Sequence, residues 1–195
     1  MSNKIIGAVI LGAGYSRRFG SDKRLHKFEG STVAETTVLA YSKVFDHIRV
    51  VIRPEDDRLV NRLKKFNVEL IKSENAKYGM GHSLSDGIVG TPTHWSFIGL
   101  LDMPYVKTNT LRKLKQKAAD ANPSEIRIVR AQYLVHSDWQ THPIGFHKSL
   151  YDELAETTGD QGARNILRAH SQQTAQLDSD DIGLCKDIDR PSDLR

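Results

Sequence analysis

The sequence predicts an α/β protein of three layers, with helices on both faces of a mainly parallel sheet, formed as a single domain over residues 1–195. Two observations carry this. Short apolar runs alternate with amphipathic helical patterns almost from end to end, which is how strand–helix–strand crossover units read. The apolar runs lack polar alternation, as strands covered on both faces do. Size adds a third: 195 residues, 38% hydrophobic and 27% charged, suffice to bury a core without disulfide or metal staples.

Taken in order, Ile5–Leu11 (IIGAVIL) is a continuous apolar run closed by Gly12, the pattern of a doubly buried strand. Ser31 stands where it would cap the next helix, on which Val33, Thr37, Ala40, Tyr41 and Val44 share a face. His47–Arg53 predicts a second strand ended by Pro54. Leu59, Val60, Leu63 and Phe66 fall at helical spacing between Asp56 and Phe66. Val68–Ile71 predicts a third strand and His82–Val89 a short helix. Trp95–Leu101 reads as another buried strand, ended by Asp102-Met103-Pro104. Thr108 is expected to cap a basic amphipathic helix with Leu111, Leu114 and Ala118 turned inward. Glu125–Arg130 predicts a fifth strand, whereas Ala131–His142 shows no clear period and reads as a long loop or irregular hairpin. Ile144–Phe146 follows as a strand, then helices near Tyr151–Leu154 and Ala163–His170. The tail is expected to hold a short strand around Leu184–Ile188 and a helix start at Pro191. The alternation weakens over about 130–180, which marks that region as a substrate-side elaboration.

Several function classes drop out early. The single cysteine, Cys185, excludes an intrachain disulfide and a Cys-rich metal site, and its apolar setting reads as a small buried hydrophobe. The eight histidines show no zinc-ligand spacing. The N-terminal apolar run is short and passes into Gly14 and Arg17 without a cleavage pattern, and no run approaches the roughly 18 residues of a membrane span. A cytoplasmic location is expected. The net charge of +4 fits a ligand rich in phosphate or a nucleic acid. The basic helix at Arg112–Lys117 spreads its charge on a solvated face without interleaved aromatics, which disfavours nucleic acid. No membrane or nucleic-acid partner is expected.

Ligands of such sheets bind beyond the C-terminal ends of the strands. The first strand empties into Leu11-Gly12-Ala13-Gly14-Tyr15-Ser16-Arg17-Arg18-Phe19-Gly20-Ser21-Asp22-Lys23. Glycines let the backbone turn tightly and bring N–H groups to anionic oxygens, and Arg17, Arg18 and Lys23 add positive charge, so a polyphosphate is the natural guest. The dinucleotide fingerprint fails because Arg17 stands where its third glycine belongs. The P-loop fails because no Lys-Ser follows Gly20. Gly81-His82-Ser83-Leu84-Ser85 approaches a nucleophile elbow, but Ser85 replaces the second glycine and no buried strand precedes it, leaving Ser83 better read as a helix cap.

The loop resembles the L-x-x-G-x-S-x-R-x-G-x-x-K signature of the MobA-like nucleoside-triphosphate transferases, matched by Leu11, Gly14, Ser16, Arg18, Gly20 and Lys23. Further segments resemble the same family in the same order. Gly79-Met80-Gly81-His82-Ser83-Leu84 is similar to its G-M-x-x-S-L, and Leu100-Leu101-Asp102-Met103-Pro104 to its L-x-D-M-P. His142-Pro143, Gly159-Asp160-Gln161-Gly162-Ala163-Arg164 and Asp187-Ile188-Asp189 resemble segments of the molybdopterin cytidylyltransferase branch. Departures fall at Gly12, at Tyr78, where an acidic or small residue is usual, and at Thr141, where a glycine is.

The resemblance implies a Rossmann-like, nucleotide-diphospho-sugar-transferase-like fold and a magnesium-dependent nucleotidyl transfer from CTP to molybdopterin phosphate. It implies that Arg18 and Lys23 hold the triphosphate and that Leu11, Gly12, Ala13, Gly14, Ser16, Gly81 and Ser83 surround the nucleotide. Asp102 and Asp189 would bind the metal. Asp187 shares the face of Asp189 on the expected tail strand and reads equally as solvated. His142, Asp160 and Arg164 would face the acceptor; for Asp160 and Arg164 the alternatives are a helix cap and a surface arginine. Ala13 agrees with the cytidylyl branch, and its methyl narrows the space near the base, which suits a pyrimidine. Alternatives are GTP, another phosphorylated acceptor such as a sugar phosphate, or a non-catalytic maturation factor that delivers cofactor to a molybdoenzyme apoprotein.

Overall fold

The computed structural model describes residues 4–16 and 18–194. In chain order the elements are β1 (Ile6–Leu11), β2 (Lys27–Phe28), β3 (Ser31–Thr32), α1 (Val33–Ser42), β4 (Ile48–Ile52), α2 (Asp57–Leu63) and β5 (Glu69–Lys72). There follow α3 (Met80–Ile88), β6 (Trp95–Leu100), α4 (Thr108–Asp120), β7 (Ile128–Tyr133), β8 (Ile144–His147), α5 (Tyr151–Ala155), α6 (Arg164–Ala169) and β9 (Thr174–Ser179). Seven strands form one sheet in the order β5-β4-β1-β6-β8-β7-β9, and β2 and β3 form a separate hairpin. All neighbours in the large sheet run parallel except those of β8, which is antiparallel to both β6 and β7. The chain builds outward from β1 through β4 to β5, then returns to lay β6 on the other side of β1. That reversal opens a crevice at the C-terminal ends of β1 and β6.

The three layers follow from side-chain alternation along the strands. Ile6, Ala8 and Ile10 point to one face and pack with Val38 and Tyr41 of α1, Leu59 and Leu63 of α2, and Leu111 and Leu114 of α4. Val9 and Leu11 point to the other, against Leu84 and Ile88 of α3, Leu154 of α5 and Ile166 of α6. The expected α/β class with a mainly parallel, doubly covered sheet is what the chain forms.

Local differences have physical causes. Thr32, not Ser31, caps α1: its hydroxyl accepts from the Glu35 amide at 3.3 Å while Glu35 accepts from the Thr32 amide at 3.0 Å. Ser31 is occupied in the hairpin, paired with Phe28. Thr108 is the first residue of α4 rather than its cap, and Asp181 receives the Lys107 amide at 2.9 Å and the Thr110 hydroxyl at 2.7 Å. The fifth expected strand begins later, at Ile128, because Glu125 and Ile126 both donate to the Asn122 carbonyl in a turn. It then runs through to Tyr133, shortening the expected loop. The tail strand around Leu184–Ile188 does not form; a 3-10 turn, Ile182–Leu184, stands there instead. The edge strand on this side of the sheet is β9, whose half-exposed TAQLDS lacks an apolar run.

A buried ion network fastens the first loop to this frame. Arg24 is 2% exposed, and its guanidinium donates to both Asp56 oxygens at 2.6 Å and to Asp22 at 2.6 and 2.8 Å. It also donates to the Gly12 carbonyl at 2.5 Å. Arg53 closes the network on Asp56 at 2.7 Å. Burial alone would raise the carboxyl pKa values of Asp22 and Asp56, but Arg24 outweighs it and both lie below their ordinary 3.8. Burial acts likewise on Glu35, and the Lys65 ammonium with the Thr32 and Ser31 hydroxyls brings it down to about 2.

Removing one partner of such a network strands the other charges in the interior. Arg24→Met is expected to cost about 3–5 kcal/mol in urea denaturation. The carboxylates contribute stability that is complete above their unfolded values of 3.8 and 4.5 and is lost as pH falls through the depressed folded values. Stability measured from pH 5 down to pH 2 should therefore fall steeply in the wild type and less steeply in Asp56→Asn; equal slopes would contradict the network's role.

Candidate active site

The loop after β1 borders a cavity of about 570 Å³ that contains Leu11, Gly12, Ala13, Gly14, Ser16, Arg18 and Lys23 on one side and Ser83, Asp102 and Asp189 on the other. Arg17 lies outside the described residues. Gly12 is demanded by packing: a Cβ there would sit 2.4 Å from Leu101 Cδ2 and 3.1 Å from the Val51 carbonyl oxygen. The buried Leu101 fills the space that a side chain at 12 would need, which accounts for the departure from the family pattern. Ser16 adopts a left-handed φ of 48°, and its Oγ is buried without a hydrogen-bond partner. An orphaned hydroxyl inside a glycine turn fits a guest with acceptor oxygens.

Opposite the loop, Asp102, Asp187 and Asp189 converge, with one carboxylate oxygen from each within 4.8 Å of the others. Lys23 Nζ lies 2.6 Å from Asp102 Oδ2 and 3.1 Å from Asp189 Oδ1, and Arg18 also pairs with Asp189. Burial would lower the Lys23 pKa, but Asp102 and Asp189 raise it on balance. Asp187 is pushed up by burial and then by the charges of Asp102 and Asp189.

Asp102 reaches the crevice because it stands two residues beyond the end of β6, after the buried Leu101. The two later acids arrive without the expected strand. Ile188 is fully buried among Phe19, Phe28 and Val33, and its amide donates to the Asp102 carbonyl at 2.9 Å. With Ile188 anchored inward, Asp187 and Asp189 are brought to the cluster by irregular backbone. Asp193 holds the turn by accepting from the amides of Asp189 at 2.9 Å and Arg190 at 2.7 Å. Three hard carboxylate donors beside an anion-binding turn suit a divalent cation of the magnesium type, which takes few carboxylates and completes its shell with phosphate and water.

A second cavity, of about 590 Å³, adjoins the first, and Leu11, Met80, Leu100, Asp160 and Asp187 border both. His142, Asp160 and Arg164 line it, as do Trp139 and Gln140. The His142-Pro143 peptide is cis. Burial lowers the His142 pKa, and its Nδ1 has no partner. Thr141 is fully buried and donates to the Ala131 carbonyl at 2.6 Å. Cys185 is half-buried on this wall, its thiol pushed up by burial.

Three expectations change. Ser83 is not a cap: α3 begins at Met80 after Gly79, which places Ser83 inside the helix, buried and facing the loop cavity. Asp160 does not cap α6, whose N-cap is Ala163 without a side-chain bond. Gly81 borders neither cavity; its amide donates to the Gly159 carbonyl at 2.7 Å, and a Cβ there would lie 2.5 Å from the Thr158 carbonyl oxygen. It serves close packing of α3 on the 158–160 turn. The sequence reading missed Arg24 and Asp56, which support the loop from beneath. Their one signal was a charge pattern, Asp22-Lys23-Arg24, directly after the glycine turn.

Cations of a glycine turn facing carboxylates across the crevice of a parallel sheet define a nucleotide-handling α/β transferase. Sequence comparison narrows this class. Residues 8–175 match the MobA-like NTP transferase domain, and the chain belongs to that family of nucleotidyltransferases. It is 26% identical over 205 residues to "Purine catabolism protein PucB" of Bacillus subtilis (strain 168), covering 99% of this chain and 96% of that protein. It is 26% identical over 109 residues to a "Probable molybdenum cofactor guanylyltransferase" of Natranaerobius thermophilus, covering 56% of this chain and 53% of that protein. The chain thus spans about half the length of that relative. Among solved structures, Rv0371c from Mycobacterium tuberculosis H37Rv superposes with a TM-score of 0.82 at 22% identity, covering 98% of this chain and 96% of that one. The same mycobacterial protein has been solved in complex with manganese, with a TM-score of 0.75 at 22% identity over 99% of this chain and 97% of that one. These structural likenesses concern the fold. No helix among the described residues is long and apolar enough to cross a membrane.

The tight fit at Gly12 makes a prediction. Gly12→Ala should cost about 1–3 kcal/mol in thermal or urea unfolding because Leu101 and the Val51 carbonyl leave no room. Trimming Leu101 to Val alongside it should recover part of the loss; a neutral single variant would contradict the packing account.

Proposed function

We propose that this chain transfers CMP from CTP to the phosphate of a molybdopterin-like acceptor and releases pyrophosphate. The observation that carries the reading is the convergence of Lys23, Asp102, Asp187 and Asp189 beside the open glycine turn. The triphosphate lies along residues 13–16, with backbone amides and the Ser16 hydroxyl toward its oxygens. Arg18 and Lys23 neutralise its charge. Asp102 and Asp189, with Asp187 beside them, would hold a magnesium ion, which when bound would neutralise charge on the triphosphate and favour departure of pyrophosphate.

The reaction asks the protein mainly to orient its partners. An oxygen of the dianionic acceptor phosphate attacks the α-phosphorus, the bond from that phosphorus to the α,β-bridging oxygen breaks, and pyrophosphate leaves with the electron pair. The attacking oxygen carries no proton, so no general base is required. The whole chain works as one unit, with residues 130–180 forming the acceptor side around His142, Asp160 and Arg164.

Ala13 supports CTP, because its methyl borders the loop cavity and leaves less room for a purine. GTP is the second reading, favoured by the relatives named guanylyltransferases. Calorimetry of CTP and GTP with magnesium should show tighter CTP binding; tighter GTP binding overturns the choice of base. Pyrophosphate release with CTP and molybdopterin should fall at least about 100-fold in Asp102→Asn, as expected when a carboxylate that would hold the charge-neutralising metal is lost. Undiminished release in that folded variant would contradict the assignment.

A further inference from the structure

The second cavity holds a positive charge that the preceding reading leaves unused. Arg130 stands in β7, opposite Ile144 of β8 and beside Gln176 of β9. It shares a sheet face with Ile128, and the wall around it is apolar, formed by Ile98, Ile144 and Phe146. A guanidinium planted on an apolar sheet face is ordinarily held by a carboxylate. Arg24 is saturated by Asp22 and Asp56, and Arg49 by Glu69 and the carbonyls of Gly87, Val89 and Gly90. Arg130 differs. Among the described residues it forms no ion pair, and its Nε is buried with no hydrogen-bond partner.

The direction of its pKa agrees with this. The carboxylates around Arg24 raise that group against burial, whereas burial leaves Arg130 below its ordinary value with only the Cys185 thiol acting the other way. Its guanidinium remains charged all the same, since arginine does not deprotonate in proteins. The group is fixed on a strand, borders open space, and faces the cavity that Asp187 joins to the glycine turn. Arg164 and Arg168 from α6 border the same space, but both are exposed, and Arg164 is bonded to Gln140 at 3.4 Å. Arg130 is therefore the cation whose charge awaits a partner.

We propose that Arg130 is the acceptor-positioning residue of this enzyme: its guanidinium binds the phosphate monoester that attacks the nucleotide. This rests on the nucleotidyl-transfer reading. A planar fork on a strand grips two phosphate oxygens and leaves the third directed toward the loop cavity. The anion completes the ion pair that the chain lacks. An acceptor without an anionic group leaves that charge uncompensated and is rejected.

The test compares wild type, Arg130→Ala and Arg130→Lys, each first checked for cooperative unfolding and for binding of the α,β-methylene analogue of CTP with magnesium. With molybdopterin as acceptor, Arg130→Ala should raise the acceptor KM at least 30-fold and leave the CTP KM within twofold. Arg130→Lys, which keeps the charge but not the fork, should recover part of the loss. An acceptor KM within twofold of wild type in Arg130→Ala overturns the proposal. If molybdopterin does not turn over, phosphorus NMR decides. With the analogue saturating the glycine turn, inorganic phosphate should broaden on the wild type and not on Arg130→Ala. Equal broadening, or none on the wild type, overturns the assignment of Arg130. Failure of the wild type to bind this analogue overturns the choice of CTP, and the phosphate comparison is then made with the α,β-methylene analogue of GTP; failure to bind either analogue removes the nucleotidyl-transfer reading, and this proposal with it.

Discussion

A glycine turn can cradle phosphate only if something prevents it from collapsing or drifting, and in this chain that constraint is the guanidinium of Arg24. It reaches under the turn to the Gly12 carbonyl and is clamped from below by Asp22 and Asp56. Desolvating three charges is expensive, so the network adds little net stability compared with an apolar plug of the same shape. Its value lies in direction. With the first carbonyl held inward, the amides of residues 13–16 have no partner among the described residues, and Lys23, the residue next to the clamp, is delivered beside Asp102.

The sheet supplies the other half of the arrangement. Reversal of strand order at β1 brings Leu11 and Leu100 side by side, so the glycine turn and Asp102 emerge at adjacent strand ends. Insertion of the antiparallel β8 next to β6 then widens the crevice on one side, and His142 enters from the segment leading into that strand. Two joined cavities result, one with backbone amides and carboxylates, the other with an apolar floor and guanidinium groups. The two spaces share a border at Leu11, Met80, Leu100, Asp160 and Asp187, so that in the proposed reaction each anionic partner would have its own cations.

The fold was legible where burial imposes a strong pattern. IIGAVIL and WSFIGLL read as doubly covered strands because neither shows polar alternation, Ser96 being the one polar residue in the two runs, and the structure places both at the centre of the sheet. β9 was not legible, since an edge strand half in water carries no such run. The glycine turn, Asp102 and His142 could be located from sequence because each stands within two residues of a strand end. Asp187 and Asp189 were anticipated on a strand face that does not exist; what orients them is the single inward anchor Ile188, a tertiary contact with Phe19, Phe28 and Val33. Arg24 and Arg130 stayed hidden for a common reason. An arginine in sequence is taken for a surface residue, and only coordinates reveal whether the interior answers its charge.

Membership of the MobA-like NTP transferase family and the geometry of the crevice converge on a carboxylate-lined nucleotide site, and its cation requirement is the most exposed part of this account. Manganese binding followed by electron paramagnetic resonance, with and without CTP, addresses it directly. The account predicts tight binding that depends on nucleotide and is lost in Asp189→Asn. Manganese affinity that is indifferent both to CTP and to the loss of the Asp189 carboxylate would contradict it.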